Sequence, residues 1–200
     1  MEQLITYFLI VYFVAFFGIS VVWRNYVVSR KTGVNAFKLN QETGVESITG
    51  VYFKYLPLVS ILVFLLYALL PGIYTRIGPI ELLNYSVIQW AGMGLMVIAL
   101  IWVTVAQSQM GASWRIGIDH ENKTEFIKKG LFKYSRNPIF VGVIFISLGF
   151  FLVLPNPLTL IILTLDIALI QVQVAMEEDY LTGAHGKSYI DYCTRVKRWL

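Results

Sequence analysis

The sequence predicts an all-α, polytopic integral membrane protein, and two observations support that prediction. Its 200 residues are 57% hydrophobic and only 14% charged, whereas a soluble globular domain carries about 25% charged residues. The apolar residues also form five long runs, and a helix needs about 20 such residues to cross roughly 30 Å of hydrocarbon. We therefore expect five transmembrane helices in one domain, residues 1–200.

Each predicted helix is placed by its apolar run and by the residues that interrupt it. The runs are residues 4–23, 51–70, about 85–105, 139–154 and 158 to about 175. Pro138 marks the start of the fourth helix, because a proline at the first helical position loses no hydrogen bond. Pro155-Asn156-Pro157 forces a tight reversal. The fourth and fifth helices are therefore expected to form an antiparallel C-terminal hairpin.

The distribution of charge predicts the orientation. Five helices place residues 24–54, 107–137 and 176–200 on one side, and these segments contain every Lys and Arg except Arg76. That side is cytoplasmic by the positive-inside rule, which leaves the N-terminus outside. The net charge of +4 then fits lipid headgroups better than nucleic acid. Residues 1–105 supply three spanning helices, and residues 106–200 supply the hairpin, a long polar segment and an interfacial tail.

Few residues match a catalytic or metal-binding pattern. Asp166 lies inside the fifth apolar run, where an ionisable side chain is either a functional candidate or a carboxyl bonded to a neighbouring helix. His120 and His185 lack ligand spacing, so no metal site is expected. No GxSxG, P-loop or GxGxxG motif stands between a strand and a helix. Direct transfer of an already activated group, which needs few catalytic side chains, fits such a sequence.

The start of the fourth predicted helix is a place to hold an anion. Its first backbone N–H groups have no partner within the helix and point towards the aqueous side. The basic residues beside them are Lys128, Lys129, Lys133 and Arg136. We interpret this start as one wall of a cofactor site, with residues 177–196 as the other.

Two stretches resemble the signatures of a known family. Residues 130–142, GLFKYSRNPIFVG, are similar to the Arg-His-Pro-x-Tyr-x-Gly signature of isoprenylcysteine carboxyl methyltransferases and related membrane phospholipid methyltransferases. The C-terminal signature of that family is matched by Glu177-Glu178, Gly186, Tyr189, Tyr192 and Arg195-Val196. The likeness covers about residues 105–198. Asn137 and Phe140 stand where the family has His and Tyr.

The resemblance implies a methyltransferase that uses S-adenosylmethionine in a cytosolic cofactor pocket beside a lipid-accessible tunnel. Carried over by position, the cofactor contacts are Thr124, Glu125, Phe126, Ile127, Phe132, Asn137, Pro138, Ile139, Phe140 and Glu177. Gln173 stands where eukaryotic members place a substrate-binding arginine, and Trp114 is a second substrate candidate. Arg115 and Arg195 are expected to orient an anionic acceptor, or else to contact lipid phosphates. The expected catalytic residues are Arg195, Glu177 and Arg115.

The expected partners are membrane lipids and a lipophilic methyl acceptor. That acceptor is an isoprenylcysteine-like carboxylate or thiol, or a lipid headgroup. Two alternatives stay open: an NADPH-dependent membrane reductase of the sterol or steroid type, whose C-terminal region is similar, and a non-catalytic membrane protein that keeps the fold. The sequence makes no prediction of the oligomeric state.

Overall fold

Helices make up most of the computed structural model, which describes residues 1–38, 44–117, 119 and 125–200. The α-helices are α1 (Glu2–Ala15), α2 (Arg24–Thr32), α3 (Val45–Leu69), α4 (Pro71–Ile77), α5 (Ser86–Met110), α6 (Pro138–Val153), α7 (Pro157–His185) and α8 (Lys187–Cys193). A π-helical segment, Phe16–Trp23, joins α1 to α2. Short 3-10 turns occupy Glu81–Leu83, Gly111–Ser113 and Gly130–Lys133. The described residues contain no strand, only an isolated bridge between Phe37 and Ile116.

Four stretches within the described ranges are long and apolar enough to cross a membrane. They are Glu2–Thr32, Glu46–Leu69, Ser86–Ser113 and Pro157–His185. Helix α6 has 16 residues, or about 24 Å at 1.5 Å per residue, which is short of the ~30 Å hydrocarbon core. The predicted all-helical, polytopic membrane protein is confirmed, and four of the five predicted spans have sufficient length. The fourth predicted span is a shorter apolar helix.

The first helix and α7 extend furthest beyond their predicted C-terminal ends. The first continues from Glu2 to Thr32 rather than stopping at residue 23. Helix α7 continues to His185, about ten residues past its predicted end. Polar residues end an apolar run without ending a helix, because no proline or glycine follows at once to break it. Glu177 and Glu178 therefore lie within α7, not at the start of a separate tail.

The packing of α5 on α6 is the most extensive contact between two helices in the described part of the chain. Gly92 and Gly149 face each other, and a Cβ added at Gly149 would meet Met96 Cγ at 2.6 Å and the Gly92 carbonyl at 2.9 Å. The core around this contact contains Ile5, Leu9, Tyr12, Val63, Phe64, Met93, Met96, Phe150, Val153, Leu154 and Ile162. The small residues let two backbones approach closely, as they do in other membrane helix pairs.

Gly149→Ala should destabilise the protein by about 1–3 kcal/mol, because the added methyl group overpacks a contact with a backbone carbonyl. Gly94→Ala is the matched control, since no atom lies within 4 Å of a Cβ built at Gly94. Thermal unfolding of both purified variants in detergent measures the difference. Equal unfolding temperatures for the two variants would show that α5 and α6 do not pack in this way.

Asn156 fixes the start of α7. Its Oδ1 accepts hydrogen bonds from the N–H groups of Leu158 and Thr159 at 2.9 and 3.1 Å. Its Nδ2 donates to the Tyr74 hydroxyl on α4 at 3.1 Å and to the Leu154 carbonyl at 3.0 Å. A side chain that caps a helix and bonds a second element restricts the direction in which the helix leaves the turn. The turn thus aligns α7 on the other helices.

At the other end of the helices, the segment after α2 pairs with the segment after α5. Lys38 N–H donates to the Ile116 carbonyl at 2.9 Å, and Ile116 N–H donates to the Ala36 carbonyl at 2.9 Å. Gln109 Oε1 accepts from Leu131 N–H at 2.7 Å. These bonds hold the polar segments around the start of α6, where the predicted site lies.

Candidate functional site

Glu178 of α7 lies at the centre of an ion-pair network with the start of α6. Arg136 Nη2 lies 2.9 Å from Glu178 Oε1, and Arg136 Nε donates to the same oxygen at 3.0 Å. Arg198 donates to Glu178 Oε2 from Nη2 at 2.6 Å and from Nε at 3.1 Å. These hydrogen bonds with Glu178 raise the pKa of Arg198. The acidic part of α7 therefore meets the basic entrance to α6, as the sequence interpretation requires.

The same network binds the C-terminal segment. Arg136 Nη1 donates to the Val196 carbonyl at 2.9 Å, and Arg136 N–H donates to the Lys197 carbonyl at 2.9 Å. Asn137 Nδ2 donates to the Arg198 carbonyl at 3.2 Å and approaches Glu178 Oε1 at 3.5 Å. Because Arg136 and Asn137 donate to these carbonyls, the segment after α8 folds back over the junction of α6 and α7.

The first turn of α6 keeps uncapped amide groups. Asn137 occupies the cap position, but its side chain makes no capping hydrogen bond and Pro138 follows at the first helical position. The Pro138 carbonyl accepts a hydrogen bond from Trp102 Nε1 at 2.8 Å, which ties this turn to α5. The Phe140 ring lies 6.1 Å from that of Phe53 on α3. Uncapped N–H groups at the start of a helix are suited to binding an anion, so the predicted anion-binding role of this turn stays a prediction.

Trp114 and Ile139, predicted for substrate and cofactor, share one apolar cluster. Trp114 is buried against Val28 of α2 and Ala36, and Ile139 packs on the same group. The guanidinium of Arg24 lies 5.8 Å from the centroid of the Trp114 ring. The cluster brings the end of the first span, the segment after α5 and the start of α6 to one place.

Arg115 joins a buried ion cluster that surrounds Asp119. Arg115 Nε donates to Asp119 Oδ2 at 3.0 Å, and Lys38 Nζ lies 3.5 Å from Asp119 Oδ1. The Tyr180 hydroxyl of α7 donates to the Asp119 carbonyl at 2.8 Å. Arg115 also donates to the Ala112 and Trp114 carbonyls. Its guanidinium therefore serves the local fold, and its predicted role towards an acceptor stays a prediction.

Phe126 and Phe132 pack under α8. The Phe126 ring is stacked on His185 at a centroid distance of 5.2 Å and lies 5.0 Å from the Tyr192 ring. Phe132 is buried, and its carbonyl accepts a hydrogen bond from the Tyr192 hydroxyl at 2.6 Å. Burial raises the pKa of Tyr192 to about 12. The aromatic contacts attach α8 to the polar segment that precedes α6.

Tyr192→Phe should cost about 1–2 kcal/mol of stability, because the Phe132 carbonyl loses its buried donor. Tyr134→Phe removes a hydroxyl from a side chain that is 68% exposed and serves as the control. Chemical unfolding in detergent, followed by tryptophan fluorescence, compares the two variants. A loss no larger than that of the control would contradict the contact.

The remaining predicted residues lie around this junction. Glu177 is half-buried beside Glu178 on α7. Gln173 is buried and accepts a hydrogen bond from the Thr49 hydroxyl of α3 at 3.1 Å. Arg195 is exposed, and its Nε donates to the Asp191 carbonyl at 3.0 Å. Glu125 is exposed and Ile127 is half-buried, while Thr124 lies outside the described residues. The functional roles of all these residues stay predictions.

Four charged residues of this region were not predicted as site residues. They are Lys38, Asp119, Glu178 and Arg198. Glu178 lies within the C-terminal signature and Arg198 lies beside it, so the motif indicates that both residues belong to the site region. Lys38 and Asp119 are 81 positions apart, and only the fold brings them together.

A cavity of about 90 Å³ lies further along the helices, between the π segment, α3, α5 and α6, and its wall includes Asp166. None of the described residues predicted to bind cofactor or substrate is among those that line it. The cytosolic cofactor pocket therefore stays a prediction. Asp166 accepts a hydrogen bond from Ser147 of α6, as expected for a carboxyl bonded to a neighbouring helix.

These features define a polytopic, all-helical membrane protein whose two sequence motifs meet at the ends of α6 and α7. Residues 91–183 match the isoprenylcysteine carboxyl methyltransferase (ICMT) family. The resemblance predicted from the sequence is thus confirmed over a segment that holds residues 130–142 and the Glu177-Glu178 pair but ends before Tyr189. No curated protein gives a significant match to the chain. The family match implies a methyltransferase embedded in the membrane.

Proposed function

We propose that this protein transfers a methyl group from S-adenosylmethionine to a lipophilic acceptor at the membrane. The observation that supports the proposal most directly is the junction of the two motifs. The uncapped first turn of α6 and the acidic pair of α7 lie together, with Arg136 2.9 Å from Glu178. The match to the ICMT family covers both elements.

The residues at the junction fit the cofactor by their chemistry. A methionine carboxylate suits the first-turn amides of Ile139 and Phe140, which no side chain caps. Glu177, which is half-buried, suits the positive amino group or the ribose hydroxyls. Phe140 offers an apolar surface for an adenine ring. When bound, S-adenosylmethionine supplies a methyl group already activated by its sulfonium.

The protein's own contribution is alignment and exclusion of water. Trp114 and Ile139 form an apolar wall beside the first turn of α6, and residues 193–198 lie over the junction. Arg195 is exposed and bonds the Asp191 carbonyl through Nε, so its Nη groups can approach a phosphate or carboxylate on the acceptor, whereas Arg115 pairs with Asp119. Within our proposal, Arg195 rather than Arg115 is the better group to orient the acceptor, an isoprenylcysteine-like carboxylate or thiol, or a lipid headgroup.

We further propose that the junction faces the cytosol and that the N-terminus lies outside. Apart from Lys54 on α3 and Arg76 on α4, the described Lys and Arg residues lie in α2, in α8 and in the polar segments that lie between the helices or follow α8. An excess of Lys and Arg in such segments is typical of the cytosolic side. The contact between Ser147 and Asp166 supports an antiparallel pairing of α6 with α7. In that arrangement α6 is a fifth membrane element, and locally thinner hydrocarbon or flanking polar residues accommodate its short length.

Binding and transfer measurements test the proposal. Purified protein in detergent should bind S-adenosylmethionine in calorimetry, and labelled methyl groups should appear in extracted lipids. Asp179→Asn, which removes an exposed carboxylate next to the acidic pair, should leave both results unchanged. Absence of cofactor binding by folded wild-type protein would overturn the proposal.

A thermal-shift comparison separates the alternatives. Stabilisation by S-adenosylmethionine and not by NADPH supports methyl transfer, whereas the reverse result supports a reductase. A folded protein stabilised by neither compound supports a non-catalytic membrane protein.

A further inference from the structure

The cavity beside Asp166 is lined mostly by apolar side chains, many of them aromatic. Five phenylalanines contribute to its wall: Phe13, Phe16, Phe17, Phe53 and Phe150. The hydroxyls of Tyr12 and Ser60, which also lie on the wall, donate to the carbonyls of Met96 and Leu56. These two hydroxyls therefore donate within the protein and not to a molecule in the cavity.

Asp166 supplies the remaining polar group of the wall. Asp166 is only 8% exposed, and its Oδ2 accepts a hydrogen bond from the Ser147 hydroxyl. No hydrogen bond from the described part of the chain reaches the other oxygen, Oδ1. A carboxyl oxygen on the wall of an apolar cavity is costly unless it receives a donor.

Water alone satisfies this arrangement poorly. A cavity of about 90 Å³ has room for several water molecules, since one needs roughly 10–15 Å³ on the same measure. Each ordered water needs two to four polar partners, but the wall offers chiefly apolar side chains and one carboxyl oxygen without a donor. An apolar body that carries a single hydrogen-bond donor fits the wall better.

We propose that this cavity is a binding site for a lipophilic alcohol, whose hydroxyl donates to Asp166 Oδ1 while its apolar part packs on the phenylalanines. A neutral hydroxyl suits the site better than an ammonium group, because an ammonium group would bury additional charge within the membrane. The site goes beyond the methyl-transfer proposal. Ser147 is nine residues into α6 from Pro138, or about 14 Å along the helix, so a hydroxyl held there is too distant to be the methylated group.

Competitive photolabelling in lipid nanodiscs tests this site without any methyl donor, so its result is independent of the methyl-transfer proposal. The probe is a ten-carbon primary alcohol with a diazirine in its chain, and peptide mass spectrometry locates the labelled residues. We expect labels on the cavity wall that unlabelled 1-decanol competes away about tenfold more effectively than decane, since the hydrogen bond distinguishes them. Equal competition by decane and decanol would overturn the proposal.

Two variants test the assignment to Asp166 and to the cavity. The double variant Asp166→Leu with Ser147→Ala removes the carboxyl acceptor and the hydroxyl that it would otherwise leave unpaired, so the tenfold advantage of decanol should disappear. Val143→Trp fills the space from a wall position and should remove labelling of the cavity. Ile161→Trp, at a position 53% exposed on α7, should change neither result. Unchanged competition in the Asp166→Leu, Ser147→Ala variant or unchanged labelling in Val143→Trp would contradict the site, and the wild-type comparison decides if a variant fails to fold.

Discussion

Glu178→Gln should lower the free energy of unfolding by about 3 kcal/mol, or the unfolding temperature by roughly 6–12 °C. The side chains of Arg136 and Glu178 are only 13% and 12% exposed. A neutral amide cannot balance the Arg136 guanidinium, and removing one partner of a buried ion pair is costly because the other charge stays desolvated. Thermal unfolding in detergent, followed by circular dichroism, measures the loss.

Two controls make this result specific to the buried pair. Asp179→Asn makes the same chemical change on an exposed residue of α7 and should shift unfolding by less than about 0.5 kcal/mol. Arg198→Gln should cost less than Glu178→Gln, because the Arg198 side chain is 44% exposed and exposed pairs contribute only about 0–1 kcal/mol. A Glu178→Gln loss no greater than that of Asp179→Asn would contradict the network.

The same substitution should also loosen the C-terminal segment. Arg136 donates to the Val196 carbonyl and holds the Lys197 carbonyl through its backbone N–H, and Glu178 holds Arg136 in place. We therefore expect trypsin to cleave after Arg195 and Lys197 faster in Glu178→Gln than in wild type, at temperatures where both are folded. Equal cleavage rates would mean that the backbone contacts alone hold this segment.

The predicted helices follow directly from the apolar runs, but their ends do not. The length of an apolar run indicates how much of a helix can lie in the hydrocarbon, but it does not indicate the residue at which the helix ends. Helix α7 continues to His185 because its hydrogen bonds persist in water, and it ends only where Gly186 adopts a positive φ of 52°. That extension places the acidic pair on a rigid helix beside α6.

The sequence also predicts that the two motifs meet, but not which glutamate makes the contact. Successive residues on an α-helix point about 100° apart, so Glu177 and Glu178 face different neighbours. The family resemblance assigns the cofactor to Glu177, whereas the ion pairs with Arg136 and Arg198 are made by Glu178. Only the rotation of α7 about its axis, set by packing on α3 and α6, decides between them.

Contacts between residues of distant loops could not be predicted either, because they too depend on how the helices pack. Lys38 and Asp119 carry no local signature, and each looks like an ordinary polar residue between apolar runs. Their ion pair depends on the backbone bridge between Phe37 and Ile116. By contrast, the sequence could predict that Asp166 bonds a neighbouring helix, because a carboxyl inside an apolar run needs such a bond. The cavity beside Asp166 could not be predicted, because no sequence pattern indicates where packed helices leave space unfilled.

Glu177→Gln should weaken S-adenosylmethionine binding by a factor of about 30 or more, because losing one partner of a charged pair in a desolvated site costs about 2–5 kcal/mol. Methyl transfer should fall below detection for the same reason. The loss of stability should be smaller than for Glu178→Gln, since Glu178 makes the buried ion pair with Arg136. The two neighbouring glutamates would then divide binding and folding between them.

Calorimetry on Glu177→Gln, Glu178→Gln and Asp179→Asn, at a temperature where circular dichroism shows all three folded, decides whether this division holds. Asp179→Asn should bind the cofactor as wild type does. If Glu177→Gln also binds as wild type does, the carboxylate of Glu177 does not contact the cofactor, and the residue-by-residue transfer from the family fails at this position. If only Glu178→Gln loses binding, the cofactor depends on the network that joins α6 to α7, and the rotation of α7 has exchanged the roles that the resemblance assigns.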